Sequence, residues 1–446
     1  MKKPKIVSFF TGIGGFDIGF EQAGFGISLQ CEINNFCNSV LKYHWPETPR
    51  AKDILAIDPN NILSSEVWCG GFPCQDLSVA RGSQGRHGLN GSRSRLFFRL
   101  SELAKFKKPQ VILIENVYGL LSSNDGQDFA ELLHTFRCLN YAVSWRLLNS
   151  RYFGVPQSRP RIYICAWMNN PVAAGNSLFE SHSPAPLRNE RLAFLSTSWQ
   201  QGSGPIPPKL AFCLAATSGR HTGTDWSRTY IPYTNEVRRL TPLECERLQG
   251  FPDHWTKLHL ENFDVEKSDS LRYHALGNAV SVTVVRWIAK RIYNQLHDRV
   301  IVPTSRSHKL KFLTESLERW PGLYGSKMIS NKLSIMRKSA AKIVWPKAGI
   351  LWEDNFIANN TAPSPCEPIH SDLIDIVEQD RPASRYFLSP NAAEGILRRV
   401  DSQNRHLFPQ LRNALEKLSG RSFPDNRDMK TALKNQLSLL ESVECV

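Results

Sequence analysis

The sequence predicts an α/β fold built on a doubly wound, mostly parallel sheet, with a smaller irregular domain and a carboxyl-terminal extension. Three observations carry this. Short apolar runs alternate with helical patterns through about the first 165 residues, which is how a parallel sheet with crossover helices reads. The first run ends in a glycine-rich turn, Phe10-Thr11-Gly12-Ile13-Gly14-Gly15, of the kind that lets backbone approach a ligand closely. Periodicity then weakens over residues 169–237, where proline, serine and glycine are frequent.

Strands are expected over residues 5–10, 27–31, 67–70, 111–115, 141–149 and 161–167, with helices starting near Phe16, Asn35, Ser94 and Asp128. Ligands of such a sheet bind at the carboxyl ends of its strands. Regular structure resumes at Thr241, Pro242 and Glu244, a capping box with proline at the first helical position, and Gly250 with Pro252 stops that helix. Gly277-Asn278-Ala279-Val280 is expected to open a further helix that buries Val280, Val284, Ile288 and Ile292. The expected domains are a catalytic part over 1–168, an irregular part over 169–238, a return to the catalytic part over 239–300, and an extension over 301–446.

The balance of 55 Lys+Arg against 41 Asp+Glu, a net +14 in 446 residues, suits a polyanionic partner. No window is apolar enough to span a bilayer, and no signal-peptide region follows Met1. The expectation is therefore a cytoplasmic protein without a membrane partner. The ten cysteines form neither CxxC pairs nor zinc-spaced Cys/His sets. They read as reduced, with Cys31, Cys69 and Cys165 as small buried hydrophobes and no metal site.

Cys74 is different. It follows Pro73 where a buried strand opens into a glycine-rich and basic loop, Gly70-Gly71-Phe72-Pro73-Cys74-Gln75, which positions a thiol to act as a nucleophile. A second apolar run ends in Glu115, Asn116 and Val117, and a third begins after Gln157, Arg159 and Arg161. Singly, Glu115 reads as a capping residue and the arginines as phosphate-binding or surface groups. Jointly, a thiol, a carboxyl and two guanidiniums at strand ends can converge on one small ring. At the other end of the sheet, Glu32 closes the second strand twenty residues after Gly12, where a carboxylate can accept hydrogen bonds from ribose hydroxyls. The glycine turn fails as a GxGxxG dinucleotide motif because its last position is Asp17. The pair favours an adenosine ligand.

Together, Pro73-Cys74-Gln75, Glu115-Asn116-Val117, the Gln157, Arg159, Arg161 triplet and Gly277-Asn278-Ala279-Val280, in this order within residues 5–296, resemble the DNA cytosine-5 methyltransferase family of bacterial or prophage type. The resemblance implies the S-adenosylmethionine-dependent methyltransferase fold, with S-adenosyl-L-methionine as cofactor. It places Phe10 against the adenine, Gly12 and Gly14 near the methionine moiety, Glu32 on the ribose and Asp53 with Ile54 at the adenine. Pro73, Leu96 and Asn278 match further contacts. Ser8 stands where Asp is frequent, and Ile33 where an aromatic is common.

The same resemblance implies that the Cys74 thiolate adds to carbon 6 of cytosine, that Glu115 serves as the acid at ring nitrogen 3, and that Arg159 and Arg161 offer donors to the exocyclic carbonyl. Arg81 and Arg86 lie in a glycine-rich loop, closing over DNA, in which Gly91 replaces a frequent acidic residue. The partner is double-stranded DNA with the target base flipped out, and a cognate restriction endonuclease is a candidate partner. Residues 169–237 become the target-recognition region, with Ser218, Arg220, His221, Thr222 and Arg228 suited to base-edge and phosphate contacts. The rival readings are an RNA cytosine-5 methyltransferase on the same scaffold, a non-catalytic DNA-binding relative, and a fused restriction nuclease.

The extension is similar to segments that trail some bacterial and prophage members. Residues 306–347 carry ten Lys/Arg against two Glu, a net +8, whereas 348–382 carry seven acidic residues against Arg381. A helix is expected from Ser389-Pro390, carrying Ile396 and Leu397. The basic part is expected to add sequence-independent phosphate contacts; the rival expectation is that the extension covers an apolar face.

Overall fold

A computed structural model describes residues 3–72, 95–182, 197, 204–219, 225–258, 265–298, 315–321, 323, 329–334 and 342–420. Pro73, Cys74, Arg81, Arg86, Gly91, Arg220, His221 and Thr222 lie outside these.

The apolar runs become β1 (Lys5–Phe9), β2 (Gly26–Cys31), β4 (Val67–Gly70), β5 (Val111–Val117), β6 (Tyr141–Asn149) and β7 (Pro160–Met168), with a two-residue β3 (Arg50–Ala51) at one edge. They join β10 (Ile329–Lys332), β11 (Ala348–Trp352) and β12 (Asn355–Asn359) in one ten-stranded sheet of order β10-β12-β11-β6-β7-β5-β4-β1-β2-β3. Pairing is parallel from β3 to β5 and antiparallel from β5 outward. The doubly wound fold is present, with a parallel core inside a mixed sheet. The antiparallel half follows from the β6–β7 hairpin and from the extension's own strands.

Helices cover both faces. On one lie α1 (Gly15–Glu21), α5 (Pro171–Leu178) and α8 (Val282–His297); on the other lie α3 (Arg95–Lys107) and α4 (Gln127–Cys138). Successive strand residues point to opposite faces, so Val111 and Leu113 of β5 join the first core and Ile112 and Ile114 the second. A third core joins α2 (Asn35–His44) to α6 (Pro242–Gln249) and α7 (Val265–Asn278). The capping box on Thr241 and Glu244 forms as expected, and Gly250 ends α6 in the left-handed region. Among the described residues no helix is long and apolar enough to cross a membrane.

Three expectations need correction. Gly277 and Asn278 end α7 instead of opening a helix; α8 begins after Ser281. A Cβ on Gly277 would overlap the backbone of Ala215 and Ala216, so this glycine marks a close crossing. Residues 171–178, expected to be irregular, form α5. The Asn170 side chain accepts from the Ala173 N–H at 3.0 Å and Pro171 opens the helix, and its small residues let it lie flat against β6 and α8.

The third correction concerns the extension, which is no separate body. Antiparallel β11 pairs with β6, and Trp345, Leu351 and Phe356 enter the α3–α4 core. Trp320 packs where any side chain at Gly175 would sit, and its indole N–H donates to Asn176 at 2.9 Å. Beyond β12 the described residues continue into α9 (Pro390–Ser402) and α10 (Pro409–Ser419). These two helices pack on a small hairpin, β8 (Tyr230–Pro232) with β9 (Val237–Arg239).

Candidate active site

The glycine turn at the end of β1 is held from below. Thr11 N–H donates to the Cys31 carbonyl at 3.1 Å, and Gly12 N–H donates to Glu32 Oε2 at 2.7 Å. The other Glu32 oxygen accepts from the Asn34 N–H at 2.7 Å. Phe10, Gly12 and Gly14 all have positive φ, at 53°, 58° and 88°. A left-handed conformation is costly for a residue such as Phe10, and the flanking tethers hold it there. A Cβ on Gly12 would meet nothing within 4 Å, whereas one on Gly14 would strike Trp45. The turn is therefore open at Gly12 and closed at Gly14.

Beside it, Asp53 caps a short turn by accepting from the Leu55 N–H at 2.9 Å, and Ile54 is buried. Ile33, Ala51, Asp53, Ile57 and Asn61 line a cavity of about 560 Å³ next to that turn. Leu96 lies half-buried at the start of α3, and Asn278 is exposed at the end of α7. A carboxylate at the end of β2, an open glycine and an apolar-sided cavity suit an adenosyl group.

Asp17 lies beneath this turn, fully buried, with Ser8 donating at 2.9 Å to one oxygen and Gln30 at 2.9 Å to the other. Burial raises its pKa to about 6 against these hydrogen bonds, which lower it. The folded state therefore holds this proton more tightly than the unfolded chain. Its contribution to stability is complete below about pH 4 and is lost as pH rises through about 6. Asp17→Asn should remove that dependence. Between pH 5 and pH 8 the urea midpoint of the wild type should fall relative to the variant's; the loss between the two protonation limits is roughly 3 kcal/mol at about 1.4 kcal/mol per pKa unit. Parallel midpoints across that range would show that Asp17 does not titrate in this window.

At the neighbouring strand ends, register brings the acid and one guanidinium together. In the antiparallel β5–β7 pair Glu115 lies opposite Tyr163, and Val117 opposite Arg161. Glu115 and Arg161 are thus diagonal neighbours on one face. Arg161 Nε stands 3.1 Å from Glu115 Oε1, and Glu115 is only 8% exposed. A Cβ on Gly71 would lie 3.2 Å from Glu115 Oε2, while one on Gly70 would overlap the Phe9 carbonyl. The segment leading to Cys74 thus departs between the glycine turn and the acid.

Arg159 does not share this task. Its buried guanidinium donates to the carbonyls of Leu214 at 3.0 Å, Gly277 at 3.2 Å and Ala279 at 2.7 Å. The expectation that it offers donors to a substrate carbonyl is corrected: those donors are spent on backbone, and leaving buried carbonyls unpaired would be costly. Gln157 acts alike, donating to the Leu248 carbonyl at 3.0 Å and accepting from the Leu214 N–H at 2.9 Å. Two members of the triplet fasten α6, α7 and the 211–219 segment to the sheet; the third faces Glu115.

Cys213 was not singled out by the sequence. Its sulfur lies 3.4 Å from Arg159 Nη1 and 3.6 Å from Arg161 Nη2. Burial pushes the thiol up, yet the charges of Arg161 and then Arg159 outweigh it and bring the pKa below its ordinary value. Arg228, expected to suit base-edge and phosphate contacts, holds the carbonyl and hydroxyl of Thr217 at 2.6 and 2.9 Å. Ser218 accepts from the Ala215 N–H at 2.9 Å. Both shape the loop that carries Cys213.

A doubly wound sheet with an adenosyl-sized recess and an acid–guanidinium pair at adjacent strand ends defines a group-transfer enzyme. The chain belongs to the C-5 cytosine-specific DNA methylase family, whose profile matches residues 4–201 and 190–294, and is a DNA (cytosine-5-)-methyltransferase with S-adenosylmethionine as methyl donor. It is 32% identical over 305 residues to Type II methyltransferase M.NgoBI of Neisseria gonorrhoeae, covering 63% of this chain and 90% of that protein. It is 31% identical over 322 residues to Type II methyltransferase M.HaeII of Haemophilus aegyptius, covering 67% and 95%. The solved methyltransferase EhMeth of Entamoeba histolytica is similar over 67% of this chain and 100% of its own, with a TM-score of 0.49 and 19% identity.

Proposed function

We propose that this enzyme methylates carbon 5 of a cytosine flipped out of a specific duplex sequence, through a covalent bond between Cys74 and carbon 6. The observation that carries this reading is the Glu115–Arg161 pair at 3.1 Å, with the segment toward Cys74 starting against the same carboxyl. Thiolate addition pushes electrons toward ring nitrogen 3, where Glu115 gives up a proton; Arg161 orients the carboxyl and donates to the exocyclic carbonyl. Carbon 5 becomes enamine-like and nucleophilic. When bound, S-adenosylmethionine supplies the electrophilic methyl group. Transfer of the carbon 5 proton to water, departure of the Cys74 thiolate and return of the nitrogen 3 proton to the Glu115 carboxylate restore the aromatic ring and the acid.

Phe10, Gly12, Gly14, Glu32, Asp53 and Ile54 would hold the cofactor, with Pro73, Leu96 and Asn278 as further contacts. Glu32 retains acceptor capacity for ribose hydroxyls beyond its two backbone bonds. Residues 169–237, apart from α5, would read the duplex. The type II names of the relatives make a cognate restriction endonuclease the partner to seek, and the bacterial cytoplasm the compartment.

Duplex DNA with 5-fluorocytosine at the target tests the covalent step. Fluorine cannot leave as a proton does, so the wild type should form a denaturation-resistant adduct in the presence of cofactor. Methylation of ordinary DNA without such trapping would rule the covalent route out. Glu115→Gln should lower turnover by roughly 10²–10⁴-fold, the usual contribution of a positioned acid, while DNA affinity changes little. Near-wild-type turnover would remove Glu115 from this role.

A further inference from the structure

The family match ends at residue 294, so the helix pair α9–α10 lies wholly outside it, yet it is built into the recognition side of the molecule. The β8–β9 hairpin has three-residue strands, too short to persist alone. Its buried Tyr230 and Val237 lie in one cluster with Leu388, Ile396, Leu397, Phe408, Leu411 and Leu415 of the extension. Leu388 N–H donates to the Val237 carbonyl at 2.8 Å, and Arg381 forks onto Glu236 at 2.7 and 2.8 Å. Arg239 ties both parts to the loop near the active site, donating to the carbonyl of Gly219 and, at 3.2 Å, to that of Arg385.

The α9–α10 turn packs on Trp226, in the short helical turn of residues 225–227. Gln403 accepts from the Trp226 indole N–H at 2.9 Å, and the Arg405 guanidinium lies 4.4 Å from the centre of the Trp226 ring. Two residues on, Arg228 grips Thr217, in the loop that begins at Cys213 beside Arg159 and Arg161. The turn itself is fixed: Asn404 takes a φ of 48°, and Arg405 N–H returns to the Val400 carbonyl at 3.0 Å. Residues 403–406 are all exposed. A cation is thus presented, preorganised, beside Trp226, two residues from the arginine that grips the recognition loop.

We propose that residues 384–420 form the second half of the target-recognition module, and that the 403–406 turn rests on the DNA backbone beside the target base, with Arg405 as a phosphate contact. This rests on the reading of residues 169–237 as the recognition region of a duplex-DNA enzyme. Phosphate contacts position a protein without reading sequence, so the turn sets orientation and affinity while the loop of residues 213–219 and its neighbours read bases.

The test uses the full chain with cofactor and a duplex carrying the site that the wild type methylates, identified by sequencing its methylated cytosines. Arg405→Met keeps a side chain of similar length but removes the charge, and with it the cation–π contact to Trp226, whereas Arg405→Lys keeps a cation there. The Met variant should weaken binding by roughly three- to tenfold and reduce the slope of log affinity against log salt by about one, with an unchanged methylated sequence. Arg405→Lys should retain the wild-type slope. A wild-type slope in the Met variant overturns the proposal, and so does a changed methylated sequence with unchanged slope, which would mean base readout. If the wild type itself neither binds nor methylates duplex DNA, the underlying reading falls with it; wild-type methylation alongside an unaffected Met variant sinks only the present inference.

Discussion

Cys74→Ser is expected to abolish methyl transfer, by on the order of 10³-fold or more, while S-adenosylmethionine still binds. Losing the nucleophile of a catalytic unit costs about as much as losing the unit. A serine hydroxyl is far less ionised than a thiol near neutral pH and a weaker nucleophile toward an electron-poor ring. The adenosyl recess at Gly12, Glu32 and Asp53 belongs to β1, β2 and the turn after β3, so it should remain intact. Methyl incorporation into duplex DNA and calorimetric cofactor binding separate the two effects. A variant that retains a tenth of wild-type turnover would exclude Cys74 as the nucleophile, even if Glu115 and Arg161 remain essential.

What the sequence made legible is local. Strands β1, β2 and β4–β7, the Thr241 capping box and the Glu115–Arg161 convergence all follow from apolar runs with a polar group at one end. Helix α7 was not visible because its sequence has no apolar stripe: it is gripped by Arg159 and Gln249 through the backbone around its end. The role of Arg159 was hidden for the same reason. Its acceptors lie 55 to 120 residues away in the chain, and no spacing rule connects such positions. Cys213 carried no local signal in the sequence, and only the crossing of the 211–219 segment over the start of β7 puts it between two guanidiniums. The extension strands are as long as β1 and β4, but no helical pattern alternates with them, and their place beside β6 is set by a pairing partner about two hundred residues away in the chain.

Ending the chain after Val300 is expected to yield insoluble protein, and this replaces the expectation that the basic segment mainly adds phosphate contacts. The sheet would lose β10–β12, leaving all nine buried residues of β6 beside a bare edge, a template for aggregation. Trp145 donates to the Pro346 carbonyl at 3.1 Å and Trp345 to the Gly126 carbonyl at 2.8 Å; a Cβ on Gly349 would overlap Trp145, and one on Gly126 would overlap Ile343 of the extension. Trp320, Trp345 and Trp352 are each no more than 5% exposed. At roughly 1.5–3 kcal/mol or more for each large buried side chain, these with Leu351, Ile350, Phe356 and Ile357 rival the whole stability of about 5–15 kcal/mol expected of a domain. The milder Trp345→Ala should cost about 3–5 kcal/mol and lower the melting temperature without altering the methylated sequence. Should the truncated chain instead stay soluble, melt as the full chain does and differ only in a flatter salt dependence of DNA binding, the packing role would be refuted and the phosphate-contact expectation restored.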